Sequence, residues 1–152
     1  MELKHINQEI VDILQELLQK NYDAEAGYKQ VMTKAESPSL KEWLQNKAKQ
    51  RNQFATQLDS MTRQFNATPA EGGTVLGTMH RAWIDVKTAL SSDTDESLLE
   101  ECIRGEKASI SEYETQLKKV SDYLPIKDLL YQQMTSIYTA LNTVKKIEDI
   151  IA

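Results

Sequence analysis

Cysteine, proline and glycine are all scarce in this sequence, at one, three and five residues in 152. A single cysteine, Cys102, excludes an intrachain disulfide and any CxxC redox or zinc motif. So few prolines and glycines argue against a loop-rich or all-β chain, because those residues punctuate turns. No apolar run approaches the eighteen or so residues needed to cross a bilayer. Basic residues are outnumbered, 18 Lys and Arg against 23 Asp and Glu, for a net charge of −5. That balance gives no electrostatic ground for nucleic-acid or anionic-membrane binding, and the densest basic stretch is only Lys47 to Arg51. The opening MELKHINQEI lacks the basic-then-apolar pattern of a secretory signal, so cytoplasm is the expected compartment.

What remains is helix-forming sequence, expected to build one domain over residues 1–152. A first helix over about 4–36 carries Ile6, Ile10, Leu14, Leu17, Tyr28 and Val31 at the three-and-four spacing of one helical face. Ser37-Pro38-Ser39 stops it, and Ser39 or Ser37 is the expected cap of the next, with Glu42 completing a capping box after Ser39. A second helix over about 39–66 carries Leu40, Leu44, Phe54 and Leu58, and ends at a turn-rich stretch from Asn66 to Gly73. A short third helix is expected over about 73–90. A fourth over about 94–120 begins at a cap on Asp93 or Thr94. The last, after a turn at Ser121 to Pro125, carries its stripe from Leu130 through Ile137 and Val144 to Ile151.

Tight connections inside the first and last pairs predict two antiparallel hairpins, about 4–66 and 94–150. A crossover containing the short helix joins them. This is the ferritin-like version of an all-α four-helix bundle; a plain five-helix pack satisfies the same periodicity.

Three charges interrupt the apolar stripes. Glu25 falls between Leu18 and Met32, Arg51 between Leu44 and Leu58, and Glu106 between Leu99 and Tyr113. A charge in such a row is costly unless it is paired or ligated. Glu25 lies thirteen residues before Pro38 and Arg51 thirteen after it, which predicts a level Glu25–Arg51 ion pair joined by Glu106 from the other hairpin. A metal is the competing explanation, with Glu25, Glu106 and His80 as ligands. That set is incomplete, because a dinuclear carboxylate bundle uses Glu from two helices and Glu-x-x-His from two others. The only such spelling is Glu2/His5, at the chain's beginning, and Leu129 to Val144 holds neither carboxylate nor histidine. Arg51 would also repel a cation beside it. No cofactor and no catalytic residue is therefore expected.

His80, Arg81, Trp83 and Lys87 form the densest group of versatile side chains and a candidate binding surface; core Trp with surface ion pairing is the favoured explanation. Gly72, Gly73 and Gly77 lack the Lys-Ser/Thr and preceding strand of a phosphate loop. Cys102 beside Ile103 reads as packing, since no histidine spacing supplies it with a base.

The ordered blocks NQEIVDILQELLQKNYDAEAGY, RNQFATQL, GTMHRAWIDVKTAL and LLEECIRGEKASISEY give the chain, over roughly residues 4–118, a resemblance to the bacterial ferritin-like family DUF2383, a domain of unknown function. The resemblance singles out Asn7, Tyr28, Arg51, His80, Arg81, Trp83, Lys87, Glu101, Glu106 and Tyr113. It implies a four-helix core with a crossover helix and brings no activity, substrate or cofactor. The resulting expectation is a non-enzymatic structural or interaction protein, pairing with a second copy or another protein through a leftover apolar helix face. The alternatives are a metal-dependent redox or metal-buffering protein, and small-molecule binding near His80 and Trp83.

Overall fold

A computed structural model describes residues 2–70, 94–120 and 123–151, with side chains from residue 7 onward. Four α-helices account for nearly all of them: α1 Glu2–Lys34, α2 Pro38–Gln64, α3 Asp95–Lys119 and α4 Leu124–Thr143. The expected third helix, with His80, Arg81, Trp83 and Lys87, lies outside the described residues.

Local chemistry sets the helix ends. Ser37, rather than Ser39, caps α2: its hydroxyl accepts from the Leu40 N–H at 3.3 Å, and Pro38 occupies the first turn. Proline fits there because that N–H has no partner in the helix anyway. Helix α2 ends where Asn66 takes φ 61°, a left-handed conformation that asparagine tolerates better than most residues. Gln15 of α1 then fastens the departing chain, donating to the Thr68 carbonyl and accepting from Ala70 N–H, both at 2.8 Å. Thr94 caps α3 through the Ser97 N–H.

The last helix stops short of its apolar pattern. It ends at Thr143, Val144 turns extended, and a 3₁₀ turn over Ile147–Asp149 follows. The Asp149 carboxylate accepts from the N–H groups of Lys145 and Lys146, offering the backbone an alternative to another α-helical turn. Val144 and Ile147 still pack on the core, so the expected stripe continues inward without a continuous helix.

Helices α1 and α2 pair as an antiparallel hairpin, as do α3 and α4. Asp95 sets the relation between them. Its carboxylate accepts from the N–H groups of Glu36 and Ser37, at 2.9 and 2.8 Å, fastening the start of α3 to the bend between α1 and α2. Helices α2 and α3 therefore run parallel, with the end of α2 and the start of α3 at opposite ends of the bundle. That order of helices is the one a ferritin-like fold has.

The core divides into two apolar clusters. One, near the α1–α2 bend, gathers Tyr28, Val31, Leu40, Leu44, Leu98, Leu99 and Cys102. The other gathers Leu14, Leu17, Leu18, Leu58, Tyr113, Leu130 and Ile137. Along the chain, Asn21, Arg51 and Glu106 fall in the gaps between the clusters, and all three are buried.

Candidate functional site

Arg51 is among the largest fully buried side chains, at 1% exposure. One arm of its guanidinium, Nη2, donates to Glu106 Oε2 at 3.1 Å, and Glu106 is equally buried. The other arm, Nη1, donates to Asn21 Oδ1 at 3.1 Å. Asn21 passes the pattern on, its amide donating to the Leu17 carbonyl at 2.8 Å and to the Tyr113 hydroxyl at 2.9 Å. Tyr113 donates to Gln133 Oε1 at 2.6 Å. Gln133 completes the run by donating to Gln57 Oε1 at 2.9 Å and to the Phe54 carbonyl at 3.3 Å. The chain of hydrogen bonds thus takes a member from each of the four helices.

Such a network stabilises only where its polar groups are satisfied. Arg51 Nε and Glu106 Oε1 find no hydrogen-bond partner among the described residues, so the ion pair is single-armed rather than a two-bond fork. Burial pushes the Glu106 carboxyl up to about 8 and pushes Arg51 down to about 10. Tyr113 is pushed up to about 12, by burial first, with the Arg51 charge and the Asn21 hydrogen bond acting the other way.

The expected Glu25–Arg51 pair does not form. Glu25 is half-buried at the hairpin edge, where it pairs with Lys29 at 3.0 Å and accepts from the Asn52 side chain. Counting from the bend gives the correct height, since Asn52 adjoins Arg51, but not the direction in which each side chain leaves its helix. Asn21, one turn before Glu25, is the α1 group that faces Arg51. A stripe of Leu18, Asn21 and Tyr28 marks that inward face, and Glu25 is rotated off it.

Lys47 is the charge that sequence reasoning missed. It lies one turn before Arg51 on the same helix, is buried, and stacks over the Trp43 ring at 5.4 Å. Burial first, and the Arg51 charge second, lower it to about 8. The signal was its place beside Leu44 and Ala48 on the inner face. Gln133, wholly inside on α4, was likewise readable as a polar break between Leu130 and Ile137. Cys102 is fully buried, and burial pushes its thiol far up, which suits packing and not nucleophilic attack. Among the other family-pattern residues, Asn7 is exposed and Glu101 pairs with Arg104 on the surface.

Di-iron carboxylate bundles hold their two metal ions among facing helices at the bundle centre, and the residues present here do not fit that role. A cation beside Glu106 would stand next to the Arg51 guanidinium. The remaining neighbours are amides and a phenol, and no group of three His, Cys, Asp or Glu side chains suited to a metal occurs among the described residues. Glu25, named as a ligand with Glu106 and His80, points to the edge; His80 lies outside the described residues.

The family model described as "Domain of unknown function (DUF2383)" matches residues 9–119. The chain belongs to this family. Among curated proteins none matches significantly. Among solved structures, that of a Mycobacterium smegmatis Dps1 mutant is similar at TM-score 0.78 and 17% identity, over 89% of this chain and 91% of that one. At that identity the likeness shows the fold alone: this DUF2383 chain is a ferritin-like four-helix bundle. No helix among its described residues is long and apolar enough to cross a membrane.

Proposed function

We propose that this DUF2383 chain is a non-enzymatic structural or interaction protein of the cytoplasm, in which an arginine–glutamate pair occupies the centre that metal-bearing bundles give to cations. One observation carries the reading: the Arg51 guanidinium lies inside the bundle and donates to both Glu106 and Asn21, from two other helices. A fixed positive charge there repels a metal, and the carboxyl it holds is engaged. Fold alone gives no warrant for iron storage or oxidation, since function resides in the site. The lone cysteine supports the compartment.

Metal analysis of protein purified without chelator tests this. The expected result is no stoichiometric metal, and no change in metal content in a Glu106→Gln variant. A stoichiometric transition-metal ion that disappears in Glu106→Gln would establish the metal-dependent alternative instead.

A further inference from the structure

The outer face of the α3–α4 hairpin carries three of the five large exposed hydrophobic side chains among the described residues. Tyr131 and Tyr138 of α4 are 61% and 57% exposed, and Leu124 is 65% exposed. They recur every seven residues, a spacing that keeps them on one stripe along the helix, as in a coiled-coil seam. Beside the stripe runs a groove in two connected parts, of about 410 and 320 Å³, that share Ile110 and Tyr138. Exposed apolar stripes of this kind mark contact surfaces.

The charges on this groove identify its occupant. Lys107 and Lys145 line one part, and Glu114 lines the other. Lys107 and Glu114 lie almost symmetrically about Ile110 on α3, just as Tyr131 and Tyr138 lie symmetrically about the Met134–Thr135 step of α4. Ile110 and Met134 line the same part of the groove, so the two midpoints are level. A two-fold axis lying in the contact plane and crossing the helices at this level would set each α3 antiparallel to its copy, and each α4 likewise. Lys107 of each chain then faces Glu114 of the other, twice, and Tyr131 meets Tyr138, twice. Self-complementarity of this kind is what a two-fold contact demands of one surface.

We propose that the α3–α4 face binds a second copy of this chain in that antiparallel arrangement, its apolar centre formed by the tyrosine stripe and its register set by Lys107 against Glu114. This deepens the interaction reading above and rests on it. Lys107 and Glu114 are exposed, so reversing either charge leaves the folded chain intact.

Sedimentation equilibrium of the whole chain and its charge variants is the test. The wild type is expected to dimerise. Lys107→Glu and Glu114→Lys each place like charges at both symmetric contacts, and each is expected to weaken dimerisation about tenfold or more. An equimolar mixture of the two variants is expected to form a heterodimer, and the chain carrying both substitutions is expected to dimerise as the wild type does. A wild type that stays monomeric at every concentration, or a dimer indifferent to both reversals, would overturn the proposal. Neither result would bear on the bundle centre, whereas metal lost in Glu106→Gln would defeat the non-metal reading and leave the dimer untouched.

Discussion

Arg51 and Glu106 meet across the bundle centre, Nη2 to Oε2 at 3.1 Å, and solvent reaches only 1% of either side chain. Both had to leave water to meet, so the pair adds little over an apolar replacement, while either half left alone is expensive. At pH 7, Glu106→Leu, which strands the buried guanidinium, is expected to cost about 3–5 kcal/mol, and Arg51→Met, which strands a carboxyl that burial keeps protonated, about 1–3 kcal/mol. The double variant is expected to cost less than either. Glu25→Ala, which disturbs only a half-buried edge pair, is expected to cost about 0.5 kcal/mol or less. Urea unfolding of the four variants against wild type measures this, and near-zero costs for Arg51→Met and Glu106→Leu would put the pair in water.

Stability should fall as pH rises through the range where Glu106 titrates. Burial lifts its carboxyl from the ordinary 4.5 to about 8, so between those values the folded chain holds a proton that the unfolded chain releases. The contribution is complete below 4.5 and gone once pH has passed about 8. Its slope is at most about 1.4 kcal/mol per pH unit. Wild type and Glu106→Gln, unfolded in parallel at pH 5 and pH 8.5, should diverge, with the wild type losing more. Identical pH profiles would mean that the carboxyl is solvated.

Lys47 works against the fold at neutral pH. It is buried beside another cation, pairs with no carboxylate among the described residues, and is held down to about 8, chiefly by burial. Replacing it with Met removes the cost of burying the charge and loses a cation–π contact worth about 0.5–1 kcal/mol. Lys47→Met is expected to stabilise the protein by about 1–2 kcal/mol at pH 7, the transfer cost being larger than the contact. The gain should shrink as pH rises from about 8 towards 10.5, where the folded lysine has already lost its proton and the unfolded one follows. A variant less stable than wild type at pH 7 would show that Trp43 compensates fully.

Asp95 makes a small contact that ties the two hairpins together across 58 and 59 residues of sequence. Its carboxylate satisfies two N–H groups at the α1–α2 bend and sits in the first turn of α3, where negative charge suits the helix dipole. Asp95→Ala is expected to cost about 2 kcal/mol, with faster amide exchange at Glu36 and Ser37. Unchanged exchange at those two positions would show that the bend is held by something else.

The four long helices, their hairpin pairing and the starts at Ser37 and Thr94 were legible because they are local: apolar residues recurring every three or four, and Ser-Pro or Thr-Asp at the breaks. Arg51 and Glu106 stood out for the same reason, as charges in apolar rows. Their partners were harder to read, because spacing fixes height along a helix far better than rotation about it. An error of one position turns a side chain by about 100°, enough to move Glu25 from centre to edge and bring Asn21 inward. Gln133 was passed over because a neutral amide carries less weight than a charge, although buried it needs partners just as surely. The overrun to Ile151 has a similar source: apolar spacing persists through Val144 and Ile147, but Asp149 competes for the backbone.

The relay from Arg51 through Asn21 and Tyr113 to Gln133 works as a lock with one tumbler per helix. Oily side chains tolerate sliding, and a bundle made only of leucine could settle in several rotations of nearly equal energy. Here a slip of any single rod strands a donor or acceptor in a dry interior. Misaligned packings are thereby raised well above the correct one, and the four rods are keyed to a single alignment.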